Sequence, residues 1–533
     1  MKFFLRLQHQ TPDERLRMRL VLICLATPAV IWLVVAMALY SFPRGMFWAV
    51  AKGAFLATFN VWPLWALPLS ASVIAVGLSW VAYRYFQTRF EGPYFLKRFE
   101  GPPMVSMLRA RFRNREDVPQ LRFCGVPVPR NIENLHFLTA GSTGSGKSVA
   151  MADYLASIQE RASQTGVPER MMCVDPDGGY MKRFYQAGDT ILNPFDERGQ
   201  GWSIFNELRT GFDCDQYAAS LIPKSPSTEQ EEWASMARVV TAATLKVLKR
   251  DYAGTTEELV NALCVMSNAQ MKTLLAGTEA AGVFHGAEET LGSIRTVLTR
   301  YIAPHKHLSV GQFSIRHWLE RGRGNLWVTW KEDTLQSLKP LISCWVDTIC
   351  VATLSLVDDE NRRLHLICDE LDSLEKLNYL IDAATKGRKK GLRIHPGLQS
   401  FAQLDETYGA KDALTLRNSL RNVALFGVTG ADTYTTEQFS KTLGKHIVSR
   451  LHVSDGKSSN KNLTRDEEFV VPASAFSQLP ANSGYMKLAN NHPIVRFAMK
   501  PRNMAIRVPG LMPNASYQSI IQSRAPMLFD PAE

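Results

Sequence analysis

The residues best suited to chemistry form one run, Gly141-Ser142-Thr143-Gly144-Ser145-Gly146-Lys147-Ser148. Its spacing is G-x-x-x-x-G-K-[ST], in which the glycines let backbone N–H groups turn inward around phosphate oxygens. In that pattern Lys147 bridges the β- and γ-phosphates of a nucleotide and the Ser148 hydroxyl coordinates Mg²⁺. A second run, Leu364-His-Leu-Ile-Cys-Asp369-Glu370, ends in two adjacent carboxylates. Asp369 fits the Mg²⁺ shell, directly or through water, and Glu370 fits the base that polarises an attacking water. A strand ending in an acidic helix cap accounts for one of these carboxylates but not both. The pair suits hydrolysis better than nucleotide sensing. Gln399 closes a further apolar run, Leu392–Leu398, where a side-chain amide can feel the γ-phosphate.

These residues need a scaffold. Leu135–Ala140 reads as a strand entering the phosphate loop, and Val149–Gln159 as the helix leaving it, whose N-terminal dipole adds to anion binding. Leu364–Cys368 reads as a buried strand neighbouring the first. Leu371, Leu374, Leu377, Ile381 and Ala384 recur at helical spacing and predict an amphipathic helix packed on the sheet. Five cations follow between Lys386 and Arg393, and complementing the helix dipole accounts for one or two of them. Between the loop and the acidic pair lie more than 200 residues. The windows Glu229–Lys249, Thr256–Gly277 and Glu288–Tyr301 there have helical periodicity, which predicts an all-α insertion over 210–305. Trp233 within it reads as a packing anchor rather than a base-stacking platform. Further on, Asp412–Asn422 and Thr433–Gly444 read as helices around a Val423–Gly427 strand. Tyr485–Leu488 and Ile494–Phe497 read as a hairpin, and 454–465 as a mobile loop.

The chain has 533 residues, 46% apolar and 21% charged, enough for two or three domains and far from the composition of a disordered chain. Its net charge of +11 is local, because residues 1–130 hold 17 basic and 6 acidic residues and the rest holds 44 of each. The body's composition therefore gives no argument for nucleic acid. Leu20–Tyr40 and Val61–Tyr83 are uncharged runs of 21 and 23 residues, each able to cross ~30 Å of hydrocarbon. Arg15, Arg17 and Arg19 precede the first, and Arg84 and Arg89 follow the second. This bias places both outer flanks and the body in the cytoplasm and the 41–60 loop outside. The basic stretch from Lys97 to Arg130 suits anionic lipid headgroups beside the membrane, or a nucleic acid or protein partner. The 8 cysteines show no metal-ligand or redox spacing and read as reduced buried thiols.

Two spans, GSTGSGKS, LICDEL and GRKKGLRIHPGLQSFAQL together resemble the type IV secretion coupling proteins of bacterial conjugation, of the TraD/TrwB type. Asp175-Pro-Asp-Gly-Gly179 and Asn193-Pro-Phe-Asp196 are similar to that family as well. The resemblance implies an α/β fold: a RecA-like P-loop ATPase domain with an inserted all-α domain, preceded by a two-helix transmembrane anchor. The corresponding divisions are 1–95 for the anchor, 96–209 and 306–508 for the nucleotide-binding domain, 210–305 for the insertion and 509–533 for a tail. It implies ATP and Mg²⁺ as cofactors, bound by the Gly141–Ser148 loop with Ser148 and Asp369 at the metal. Lys147, Glu370, Gln399 as sensor and Arg388 as a finger reaching a neighbour's nucleotide form the implied catalytic set. The implied partners are DNA, single- or double-stranded and without sequence preference, relaxase and relaxosome proteins, secretion-channel subunits, the bacterial inner membrane and five further copies in a hexamer. The short segment after 508 departs from the pattern and puts a tail-borne relaxosome contact in question. Two other classes share these residues: an FtsK/HerA-type DNA pump without a channel, and a platform recruiting secreted proteins. The intact Glu370 weighs against a purely structural nucleotide.

Overall fold

The computed structural model describes residues 12–40, 46–86, 94–225, 227–285, 288–454 and 460–515. It divides into two compact units, Met1–Gly101 with Lys445–Phe469, and Pro102–Gly444 with Val470–Glu533.

The first unit contains the helices Pro12–Leu39 and Trp62–Phe86. Their apolar cores, Leu16–Leu39 and Trp62–Tyr83, have mean hydropathies of 2.6 and 1.8 and are only 6% and 11% buried. Polar side chains tie the pair internally: Arg17 Nε donates to Tyr83 Oη at 2.7 Å, and Cys24 Sγ to Ser79 Oγ at 3.3 Å. Pro68 is accommodated within its helix, where Ser72 Oγ donates to the Pro68 carbonyl at 2.7 Å. The connection expected as a plain loop instead forms a helix at Phe47–Leu56, whose apolar residues carry one charge, Lys52.

A three-stranded antiparallel sheet completes the unit, in the order Tyr94–Glu100, Lys445–Ser454, Asn460–Phe469. The expected mobile loop over 454–465 is corrected here: residues 460–465 are strand, and 455–459 lie outside the described residues. Apolar alternation is weak in this strand. Cross-strand ion pairs of Lys445 with Glu467 (2.8 Å) and Arg450 with Glu468 supply the specificity instead.

The second unit is built on a ten-stranded sheet. Its order is Met104–Ser106, Ile494–Ala498, Ser483–Lys487, Asn422–Phe426, Phe137–Ala140, Leu392–Leu398, Leu364–Cys368, Arg170–Pro176, Leu326–Trp330, Thr190–Leu192. Only Ser483–Lys487 runs against the others. Every residue of Leu326–Trp330, Leu364–Cys368, Leu392–Leu398 and Asn422–Phe426 is buried, as continuous apolar runs in a sheet covered on both faces must be. One cover is the helix Leu335–Leu354. The Glu332–Leu354 segment that contains it is about as long as the N-terminal pair but less apolar, with a mean hydropathy of 1.3, and is 83% buried.

The helical windows form as Thr228–Asp251 and Glu288–Ile302. The window between them is divided: Thr256–Val260 runs into a π-turn, and Ser267 then caps a separate helix Asn268–Leu274 through a capping box with Gln270. Trp233 is partly buried against the same apolar cluster that includes Leu138 and Val174 of the sheet, which suits a packing role.

The helix predicted over 371–384 is mostly absent. Leu371–Ser373 is a single 3₁₀ turn, Leu374 is extended, and a helix forms only at Leu380–Lys386. The N–H groups a helix would use go elsewhere. Glu375 donates to Ser343 Oγ (2.9 Å), Leu377 to Tyr408 Oη (3.3 Å) and Tyr379 to Asp347 Oδ1 (2.8 Å). Leu371, Leu374 and Leu377 are still buried, so the apolar spacing reported burial without reporting the helix.

Candidate nucleotide site

The loop Gly141–Ser148 leaves the Phe137–Ala140 strand and enters the helix Lys147–Thr165. Leu135 belongs to a preceding 3₁₀ turn rather than to the strand. Gly146 has φ +114°, and a Cβ there would come within 2.6 Å of the Asn482 Cα, so both conformation and space demand glycine. Three of the eight residues commit their N–H groups to the fold. Gly141 donates to the Leu398 carbonyl, Ser142 to that of Gly427 and Ser145 to that of Ser142. Lys147 and Ser148 stand in the first helical turn, where N–H groups have no intrahelical acceptor. Lys147 is buried, and its Nζ donates to the carbonyls of Gly141 (2.6 Å) and Ser142 (3.2 Å). Burial lowers its pKa, while Asp369, Asp372 and Glu370 pull the other way.

Asp369 and Glu370 follow their strand as expected, but that strand is not the immediate neighbour of Phe137–Ala140. Leu392–Leu398 lies between them. This insertion delivers Gln399 to the middle of the site. Gln399 Oε1 accepts from Thr143 Oγ1 at 3.3 Å, and Nε2 donates to Glu370 Oε1 at 3.2 Å. The phosphate loop is thus linked through one amide to the carboxylate suited to activating water.

Three groups beyond the expected set complete the site. Asp372 accepts the Gln399 N–H at 2.8 Å and thereby fixes the turn that aims the amide. Burial raises the pKa of Asp369, Glu370 and Asp372 alike; neighbouring carboxylates add to the rise at Asp369 and Glu370, while backbone N–H groups and Lys147 partly offset it at Asp372. Asp175 ends the Arg170–Pro176 strand's apolar run. It accepts the N–H groups of Tyr180 and Met181 (2.9 and 2.6 Å), and burial pushes its pKa up to about 7. Tyr180 Oη is buried and interacts with Asp369 and Ser148. In the sequence, Asp372 stood two residues beyond the pair with no signal for its placement, whereas Asp175 opened the Asp175–Gly179 stretch that resembles the family.

Ser148, Asp369, Asp175 and Tyr180 line a cavity of about 350 Å³ together with Met499, Arg502 and Met504. The donor set fits the expected group. A hard cation such as Mg²⁺ takes one or two protein oxygens together with phosphate oxygens and waters, and Ser148 and Asp369 bring a hydroxyl and a carboxylate oxygen to this cavity.

Arg388 is not brought to this site. It is exposed on the 3₁₀ turn Gly387–Lys390, before the strand whose far end carries Gln399. Seven strand residues span roughly 20 Å. Nor do the five cations form one free patch. Lys386 pairs with Asp382 (2.6 Å), Lys390 with Asp358 (2.7 Å), and the buried Arg393 lies 3.6 Å from Glu133. Arg388 and Lys389 remain exposed.

Residues 120–500 match the family model described as the type IV secretion-system coupling protein DNA-binding domain. Coupling protein TraD of Escherichia coli strain K12 is 27% identical over 477 residues, which cover 84% of this chain and 65% of TraD. The chain therefore spans less than two thirds of TraD's length. The unbound bacterial conjugative coupling protein TrwBdeltaN70 is 39% identical, with a TM-score of 0.74 over 79% of this chain and 98% of that one. TrwB in complex with ADP and Mg²⁺ is 39% identical with a TM-score of 0.74, over 80% of this chain and 100% of that one. The fold is the RecA-like P-loop fold that the resemblance implied. The chain belongs to the type IV secretion-system coupling protein family.

Proposed function

We propose that this protein is a membrane-anchored ATPase that couples a DNA–relaxase nucleoprotein to a type IV secretion channel and drives its transfer in bacterial conjugation. The observation that carries the reading is the Thr143–Gln399–Glu370 bridge, which ties the phosphate loop to a water-activating carboxylate. The nucleotide and Mg²⁺ bound by TrwB support ATP and Mg²⁺ as its cofactors. When bound, they supply the anhydride to be cleaved and a cation that neutralises its charge. Lys147 exchanges the Gly141 and Ser142 carbonyls for phosphate oxygens, and Ser148 and Asp369 offer oxygens to the metal. Glu370, its pKa raised by burial and by Asp369, accepts the proton of the attacking water. Gln399 registers whether the terminal phosphate is present, through Thr143.

The reading extends to assembly. Arg388 acts in trans, as an exposed cation about one strand length from its own site, within a homohexamer. The helices Pro12–Leu39 and Trp62–Phe86 cross the inner membrane twice with termini and body in the cytoplasm, as the arginine flanks require. The divisions 1–95, 96–209, 210–305, 306–508 and 509–533 follow these roles, with DNA held through phosphates without sequence preference.

The test is ATP hydrolysis by the full-length protein, with and without single-stranded DNA, across a salt series. DNA stimulation that fades with salt and vanishes in Lys147→Ala, with folding preserved, is the expected result. A rate insensitive to DNA would overturn DNA as the cargo and move a protein-recruiting role ahead.

A further inference from the structure

The short helix Met107–Arg113 carries a surface that nucleotide chemistry does not use. It packs inward through Ala110, and the Asn114 that caps it is buried too. On the opposite side Leu108 and Phe112 are 63% and 72% exposed. At 100° per residue these two share one stripe, with Arg111 on one flank and Arg109 and Arg113 on the other. All three arginines are exposed, and Arg111 Nε also donates to the Gly125 carbonyl at 2.8 Å. The stretch 102–115 contains four arginines and no acidic residue. The preceding strand, Met104–Ser106, lies at one edge of the ten-stranded sheet, and Met104 is itself 44% exposed.

We propose that this helix lies on the anionic surface of the bilayer. Leu108 and Phe112 enter the boundary between headgroups and acyl chains, and Arg109, Arg111 and Arg113 meet lipid phosphates. An apolar stripe flanked by arginines and turned away from the core is the pattern of an interfacial helix. Anionic lipids complement the charge, and Met107 stands only 21 residues beyond Phe86, where the second apolar helix ends. A nucleic acid would satisfy the arginines, yet it offers no hydrocarbon to Leu108. The inference rests on the reading of Pro12–Leu39 and Trp62–Phe86 as a membrane anchor.

The experiment is photocrosslinking of the full-length protein in nanodiscs of phosphatidylcholine alone or with phosphatidylglycerol. One variant carries Phe112→p-benzoylphenylalanine and a control carries Leu25→p-benzoylphenylalanine, at a position 69% exposed on the first apolar helix. Lipid adducts at position 112, several-fold more abundant in the anionic discs and reduced by Arg109→Glu with Arg113→Glu, are expected. Adducts to a second copy, to added DNA, or none at all would overturn the proposal, provided position 25 crosslinks to lipid in both discs. Loss of adducts at position 25 would instead overturn the anchor on which the proposal depends.

Discussion

The two ends of the Leu392–Leu398 strand handle charge in opposite ways. At the end occupied by Gln399, three carboxylates crowd around one buried lysine, and burial raises the pKa of each. At the other end five cations cluster, but Asp382, Asp358 and Glu133 answer three of them within the same chain. Like charges held together with too few partners cost free energy that the fold alone does not return. Such an arrangement marks a place completed by a ligand. Opposite charges already paired mark structure, so only Arg388 and Lys389 at the quiet end are left to act outward.

The largest effect is expected where the unanswered charge is removed. Glu370→Gln keeps the shape and the contact with Gln399 but removes the base, and turnover should fall by up to ~10⁴-fold. A thermal unfolding profile matching the parent would show that the loss is chemical. If turnover survives, the crowded carboxylates are not the hydrolytic end and the comparison collapses.

Arg388→Ala tests the quiet end. A finger acting in trans is worth ~10³-fold in turnover, and its removal should leave folding intact because the side chain is exposed. Mixing Arg388→Ala copies with Glu370→Gln copies should restore part of the rate, since each supplies what the other lacks at a shared interface. No recovery on mixing would assign Arg388 a role within its own chain.

Gln399→Ala should act more weakly, about tenfold on turnover, the scale of one lost hydrogen bond. It should uncouple the loop from Glu370 while leaving nucleotide affinity within about threefold, because Lys147 and the helix N-terminus remain. A large loss of affinity would mean that Gln399 holds the loop rather than reading it.

The contrast also explains what could be read in advance. Lys147 and Ser148 stood out through the spacing of the glycine-rich loop, and Asp369, Glu370 and Gln399 because each follows a buried strand, where apolar periodicity and residue type agree. Two strands of the sheet were legible for the same reason: Leu364–Cys368 and Leu392–Leu398 form at the residues their apolar runs indicate. The 371–384 segment was misread because its apolar spacing reports burial, whereas the backbone is set by Ser343, Asp347 and Tyr408, distant in sequence. Asp372 and Asp175 matter through the backbone N–H groups they accept, a property of tertiary placement. The pairing of Lys390 with Asp358 and of Arg393 with Glu133 was equally invisible, so a cluster of five cations overstated the free charge.

The smallest expected effect concerns pH, and the two ends should respond with opposite sign. Burial pushes the Asp175 carboxyl up to about 7 from an ordinary 3.8, with the N–H groups of Met181 and Tyr180 only partly offsetting it. Between about pH 4 and 7 the folded chain keeps a proton that the unfolded chain has released, so this group's contribution to stability falls as pH rises. At the quiet end, burial pushes His136 down to about 4 from 6.5. Its Nδ1 accepts the Ile394 N–H at 3.0 Å while Nε2 faces the Ala384 carbonyl at 2.8 Å, which fixes a neutral ring protonated on Nε2. Between about pH 4 and 6.5 the unfolded chain binds the proton and the folded chain does not, so this contribution rises with pH. Each slope is at most about 1.4 kcal/mol per pH unit. Asp175→Asn retains an acceptor for the two N–H groups and should make the nucleotide-free protein's stability rise more steeply with pH. His136→Asn, at a φ of 56° that asparagine tolerates, should make it rise less steeply. Thermal unfolding of both variants against the parent at pH 4.5, 5.5 and 6.5 measures the two differences, and equal signs would mean that the ends are not the electrostatic opposites their charges describe.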